Sequence, residues 1–292
     1  VDLAKAAACT RVFVFLDGEA GLDWLESFAA AQGLAAGPRI LAVVPEGSSS
    51  GTRRSGPAAG PRVERMDNWS GNQSRFSRIK YSFLKGVIEG RIGLDERIVC
   101  VLGPSGKSRL DTVTVHDLSE SWSEEFPFDV RPLIETGFSR TIMAAIDVAL
   151  DIGALGREGK PVGTIFVVGD EAAVMGLSHQ AVFNPFRAYP AEQRSISDPE
   201  VVESLKEFAK LDGAIIVGAD GRVEAAGRHL DAGGKALEGS SGLGARHRAA
   251  AGISAATGAV AIAVSESTGK VTLFHRGRAI STLEPLISRR LV

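Results

Sequence analysis

Residues 211–227 read LDGAIIVGADGRVEAAG: two short apolar runs on either side of Asp220-Gly221. An Asp-Gly pair flanked by apolar residues is a strong hairpin signal, because glycine takes the positive φ of a tight turn at no steric cost. The stretch predicts two antiparallel strands. Residues 258–283, GAVAIAVSESTGKVTLFHRGRAISTL, read likewise, with turns at residues 267–269 and at Arg276-Gly277. Between the two lies a Gly-rich loop and a helix-forming run. Upstream, residues 139–156 have helical spacing, residues 159–170 (GKPVGTIFVVGD) form a buried strand ending on Gly-Asp, and a helix runs over residues 199–210. This half is therefore α/β with a mixed central sheet flanked by helices.

The other half has a different rhythm. RVFVFL (11–16), a helical stretch at 22–31, an apolar run at 40–44, a helical stretch at 73–89 and a strand ending at Leu102 alternate along the chain. Such alternation predicts a parallel α/β sheet. Residues 46–62, EGSSSGTRRSGPAAGPR, read as a long loop in which Arg53-Arg54 is a solvated pair. The pattern breaks around Phe126-Pro127 and Pro132, so two domains are expected, residues 1–132 and 133–292.

Composition narrows the function. Of 292 residues 44% are hydrophobic, enough for two cores, and the formal net charge of −2 offers no general attraction for nucleic acid or membranes. The cysteines, Cys9 and Cys100, stand far apart in no metal-ligand pattern, which fits a reducing cytoplasm. The N-terminal stretch lacks the basic and apolar regions of a signal peptide, and no apolar run nears the ~20 residues that span a bilayer. His116, His179, His229 and His275 are scattered without metal-ligand spacing and read as ordinary surface or core residues.

Residues 101–108, VLGPSGKS, invite comparison with a phosphate-binding loop. That loop needs Gly, four residues, then Gly-Lys-Ser/Thr opening a helix. Here Val101 occupies the first glycine's place, and the following RLDTVTV looks extended. A polar turn between strands is the better description, with Lys107 and Arg109 as turn charges. An ATPase centred on Lys107 would need the phosphate-binding loop that this stretch lacks.

Residues 239–258, GSSGLGARHRAAAGISAATG, meet the need for an anion site by another route. Gly239, Gly242 and Gly244 make a closely approachable loop, and a helix runs from Ala245 to a stop at Gly258. Arg246, His247 and Arg248 then fall in the first turn, where the helix dipole is already positive. Two arginines there suit a triphosphate, unless they pair with carboxylates such as Glu224 or Glu238. Asp212 at the start of one strand and Glu266 at the end of another could supply oxygen ligands for a divalent cation and a group acting on an attacking hydroxyl.

LDGAIIV followed by GARHRAAAGISAATGAVAIAVSESTGKV resembles the diadenylate cyclase (DAC) family, known by Asp-Gly-Ala, Arg-His-Arg and Ser-Glu motifs. The likeness covers roughly residues 137–286, and REGKPVGTIFVVGD and SHQAVFNPF are similar to archaeal-type members. The first half resembles, in topology, the α/β domain of the pyruvate kinase C-terminus that precedes the cyclase in that subgroup, with a regulatory or oligomerising role. The resemblance implies condensation of two ATP into cyclic di-AMP and two pyrophosphates, with Mg²⁺ or Mn²⁺. It implies that Asp212 acts on the 3′-hydroxyl through the metal, that Arg246, His247 and Arg248 grip phosphates, and that Glu266 holds the metal. Gly213, Ala214, Gly244, Ala245 and Ser265 would line the nucleotide, and Leu230 matches the position that packs on adenine. Two departures stand out: Ala245 replaces the usual Thr before Arg-His-Arg, and Ser267 replaces the usual second acid. Because each ATP must present its 3′-oxygen to the other's α-phosphate, a homo-oligomer with face-to-face cyclase domains is expected. A non-catalytic receptor for ATP or a cyclic dinucleotide is the alternative.

Overall fold

The computed structural model describes residues 4, 8–31, 38–47, 63–69, 71, 73–107, 109–119, 129–158, 160–231 and 244–286. Two compact units divide the chain, Val1–Ser123 and Glu124–Val292. The division falls before the expected break at Pro132, because the Asp129 N–H already donates to the Ile280 carbonyl (3.1 Å) of the second unit's sheet.

In the first unit, β1 (Arg11–Phe15), α1 (Glu19–Ala31), β2 (Arg39–Pro45), β3 (Val63–Asn68), α2 (Arg75–Ile88), β4 (Arg97–Leu102) and β5 (Thr112–Asp117) build a sheet of order β3-β2-β1-β4-β5. Its apolar runs are continuous because both faces are covered. Val12 and Val14 pack with Leu22, Leu25 and Ala29 of α1, whereas Phe13 meets Phe83 of α2 edge-on at 5.6 Å. The expected parallel sheet holds for β1 to β4, but β5 runs antiparallel to β4. The connection between them is too short for the crossover that a parallel strand requires. β3 lies where no strand is apparent in the sequence.

The second unit comprises α3 (Arg131–Glu135), α4 (Ser139–Leu155), β6 (Thr164–Val168), α5 (Glu171–Gly176), β7 (Ser178–Gln180), α6 (Pro199–Phe208), β8 (Ala214–Val217), β9 (Val223–Leu230), α7 (Ala245–Ala256), β10 (Val260–Val264), β11 (Val271–His275) and β12 (Arg278–Leu283). The sheet order is β12-β11-β10-β6-β8-β9-β7. Only β6 and β8 run parallel; the other neighbours are antiparallel. The sheet is mixed, as the sequence predicts. Ala250, Ala251 and Ile253 of α7 pack on Ile165, Val167, Ala214 and Ile216 in one core. α4 also packs on β6, β10 and β11.

The β8–β9 hairpin forms around Gly221, which takes φ +88°. Its connection is longer than a two-residue turn: the Gly218 N–H donates to the Arg222 carbonyl at 2.8 Å, closing a loop over residues 218–222. α7 stops without a left-handed Gly258. The Thr257 hydroxyl donates to the Ile253 carbonyl (2.7 Å), and the Gly258 N–H donates to Asp170 Oδ2 (2.7 Å).

Candidate functional site

Strand register gathers the residues singled out above. Ile165 of β6 pairs with Ala214 of β8, Thr164 with Val264 of β10, and Ala214 with Arg228 of β9. The starts of β6 and β8 and the ends of β9 and β10 therefore share one end of the sheet. Asp212 lies just before β8, and Ser265 and Glu266 just after β10. With β6 between them and strands about 4.8 Å apart, their backbones stand about 10 Å from one another.

α7 starts at the same end. Gly244 caps it with extended backbone (φ −64°, ψ 165°) and no side chain to accept from the first-turn N–H groups. These are the orphan donors that make a helix N-terminus an anion site. Gly244, Ala245, Arg246 and His247 face Ser265, Glu266 and Ser267 across an open cleft of about 460 Å³. Arg246 Nη1 donates to Glu266 Oε2 at 3.0 Å. This is the carboxylate that offsets cation against dipole; Glu224 is held instead by Arg194 at 3.1 Å, and Glu238 lies outside the described residues. Arg248 is exposed on the same turn. His247 rests edge-on against Phe274 (6.0 Å), and its partial burial holds its pKa below the ordinary histidine value. The ring is therefore neutral at neutral pH.

Ser265 organises the turn after β10. Its Oγ lies 3.3 Å from Ser267 Oγ and accepts from the Thr268 N–H at 3.3 Å. Asp212 is exposed, with Oδ1 accepting from the Gly213 N–H at 3.1 Å. Gly213 is a glycine for two reasons: φ is +111°, and a Cβ would stand 2.7 Å from the Arg228 backbone nitrogen. Ala214 and Leu230 are buried in the core cluster beneath α7, so they form the floor under this end of the sheet. Asp212, Gly213, Ala214 and Leu230 do not line the cleft itself. The donor set here, two exposed carboxylates, fits a hard divalent cation such as Mg²⁺ or Mn²⁺.

One contributor escapes sequence reasoning. Gly163 precedes β6, and a Cβ there would lie 2.9 Å from Glu266 Cβ and 3.1 Å from Arg246 Nη1. Nothing in KPVGTIF marks that glycine except its position before an apolar strand. A second surprise concerns the histidines. His179 and His229, expected to be unrelated, converge with Asp231 because β7 and β9 pair across about fifty residues of sequence, a proximity that linear spacing does not reveal. His116 is half-buried and His275 buried, as ordinary packing residues.

VLGPSGKS is a turn. β4 ends at Leu102, which pairs with Thr112 of β5, and no helix follows. Together with Asp17, Arg78 and α1's first turn the loop borders a cleft of about 740 Å³, which belongs to the first unit and holds none of the Asp-Gly-Ala, Arg-His-Arg or Ser-Glu residues. Ser108, Arg53, Arg54, Gly239 and Gly242 lie outside the described residues.

Comparison with known proteins bears on the same region. Residues 151–279 match the family described as "DAC: DisA bacterial checkpoint controller nucleotide-binding". A protein of Methanocaldococcus jannaschii named diadenylate cyclase is 38% identical over 192 residues, covering 65% of this chain and 61% of that protein. A Haloferax volcanii protein of the same name is 31% identical over 208 residues, covering 71% of this chain and 75% of the relative. The chain thus spans about three fifths of the first relative's length. A solved double mutant of DacA from Staphylococcus aureus is similar at 23% identity over 51% of this chain and 87% of that one, with a TM-score of 0.30, too low to add to the comparison.

Proposed function

Because the chain belongs to the diadenylate cyclase (DAC) family, we propose that it condenses two ATP into cyclic di-AMP and two pyrophosphates, at a site completed by two face-to-face cyclase domains. The observation that carries this is the uncapped N-terminus of α7, which opens on a cleft shared by Arg246 and Glu266. Orphan N–H groups and guanidinium forks are donors for a triphosphate.

In the resting chain Arg246 is held by Glu266. An arriving triphosphate draws Arg246 to its own oxygens and releases the carboxylate. Arg248 adds a second guanidinium, and neutral His247 donates a ring N–H without adding charge. Ser265 holds the turn that presents Glu266, while Gly213, Ala214, Leu230, Gly244 and Ala245 shape the nucleotide's bed. Asp212 takes the proton of the 3′-hydroxyl as its oxygen bonds to the partner nucleotide's α-phosphorus, and the bond to pyrophosphate breaks on the opposite side. Asp212 and Glu266 would be the oxygen donors for Mg²⁺ or Mn²⁺, which would neutralise charge developing on the phosphates. Each monomer holds one ATP, so a two-fold pairing of identical half-sites satisfies both attacks. The first unit assembles or regulates that pairing, in a cytoplasm that supplies ATP. Among the described residues no helix is long and apolar enough to cross a membrane.

Replacing Asp212 with Asn tests the reading. ATP affinity, measured by calorimetry, stays within about threefold, while turnover falls by about a hundredfold or more, the usual scale for loss of a general base. The absent hydroxyl at Ala245 supports the second reading, a receptor. In that case wild type binds nucleotide without turnover, and the Asp212 substitution changes nothing.

A further inference from the structure

His179, His229 and Asp231 form a cluster that the cyclase chemistry leaves unused. β7 and β9 pair antiparallel with His179 directly opposite His229, which sets both side chains on one face of the sheet edge. Their ring centroids are 5.0 Å apart. Asp231 follows β9, and its N–H donates to the Leu177 carbonyl at 2.9 Å, which fixes the carboxylate beside the rings. Both imidazoles aim Nδ1 at the same oxygen: Asp231 Oδ1 lies 2.9 Å from His179 Nδ1 and 3.4 Å from His229 Nδ1. One ligand atom from each of the three residues lies within 4.8 Å of the others.

The scaffold beneath is tied down. Arg228, buried, donates through Nε to Ser178 Oγ of β7 (2.9 Å) and through Nη2 to the Met175 carbonyl of α5 (3.0 Å), tying both elements to β9. The cluster itself is open, with side chains 63%, 62% and 48% exposed for His179, His229 and Asp231. An ion can enter without disturbing the core.

Two imidazoles and a carboxylate are the donor set of three-ligand zinc sites that keep a fourth position open. Tetrahedral bonds of about 2.0–2.1 Å put ligand atoms about 3.3 Å apart, between the two N···O separations found here. Nitrogen donors disfavour Mg²⁺ and Ca²⁺ and favour borderline transition ions. We propose that His179, His229 and Asp231 bind one divalent transition ion of the Zn²⁺ class, chemically separate from the hard-cation carboxylates Asp212 and Glu266. The bound ion replaces the imidazole protons now shared with Asp231 and braces the β7–β9 edge, leaving one position for water or an exogenous ligand.

The test uses the full chain, stripped with chelator and free of nucleotide, in an Asp212→Asn, Glu266→Gln background that removes the hard-cation donors. Zn²⁺ is titrated by calorimetry, and Co²⁺ by its visible d–d bands. One ion per chain with tetrahedral Co²⁺ bands is expected. Adding His229→Gln or His179→Gln should weaken binding by tenfold or more, on the order expected for damage to a metal site. Circular dichroism confirms that each variant keeps its fold. Absence of Zn²⁺ and Co²⁺ binding in the folded background protein overturns the proposal, and so does binding that both histidine substitutions leave unchanged. Neither outcome touches the cyclase reading, whose residues are already removed.

Discussion

Gly163 shows how little room separates the two charged partners of the site. A Cβ 2.9 Å from Glu266 Cβ and 3.0 Å from its backbone nitrogen forces the turn after β10 to shift. Small misplacements near reacting groups cost rate far more than stability. Gly163→Ala should therefore lower cyclic di-AMP synthesis by roughly tenfold to a hundredfold, with a Tm change of only a few degrees by calorimetry. Arg246→Ala separates the same quantities. Its ion pair with Glu266 has side chains 39% and 58% exposed, so stability should change by less than about 1 kcal/mol. Loss of the proposed phosphate donor should cut turnover by about a hundredfold or more. An equal loss of stability and activity would make Arg246 a structural residue. At this scale Asp212, Arg246, His247, Arg248 and Glu266 stand out in the sequence because each sits in a short motif with an electrostatic rationale, and the structure sets Arg246, His247 and Glu266 around one cleft. Gly163 was not, since its role is an absence of atoms opposite a turn about a hundred residues away.

The β8–β9 hairpin carries Asp212 at its start, and its geometry depends on Gly213. Gly213→Ala combines a left-handed φ with a Cβ 2.7 Å from the Arg228 backbone nitrogen. Backbone cannot step aside as a flexible side chain can, so the second unit should lose about 1–3 kcal/mol or more, seen as a lower urea midpoint. The loop after β4 behaves oppositely. Lys107 lies in a turn between antiparallel strands, so Lys107→Ala should leave cyclic di-AMP synthesis unchanged, and a large loss would revive the ATPase description. Hairpins, α4, α7 and the buried strands were legible from apolar runs bounded by turn residues. β3 was hidden because VERMDN is mostly half-buried and polar, following a Gly-Ser-Pro-rich stretch. β7 was hidden because three residues, SHQ, carry no periodicity, and with it went the meeting of His179 and His229.

At the scale of the molecule, pH and concentration are the levers. His116 packs edge-on against Phe83 at 5.5 Å, and burial lowers its pKa to about 4 from an unperturbed 6.5. The unfolded chain therefore takes up a proton below pH 6.5 that the folded first unit refuses until about pH 4. The stability contribution is full above pH 6.5 and falls by about 3 kcal/mol on acidification through that window. Hydrogen exchange at β1 and β4 should register the loss in wild type, and His116→Phe should flatten it. The mixed sheet was legible in the change from alternating strands and helices to paired hairpins. The division at residue 123 was not, because the backbone bond from Asp129 to Ile280 is a tertiary contact.

The proposed pairing of half-sites makes a further demand: specific activity should rise with protein concentration until the pairing saturates. The most direct measurement is the identity of the product. Purified chain is incubated with ATP and Mn²⁺, or separately Mg²⁺, and the nucleotides are resolved by mass spectrometry beside an Asp212→Asn control. Cyclic di-AMP with two pyrophosphates per product, from wild type alone, is the predicted result. ATP bound but unconverted by a confirmed oligomer with either metal would contradict it, and Ala245→Thr would then be the first substitution to make.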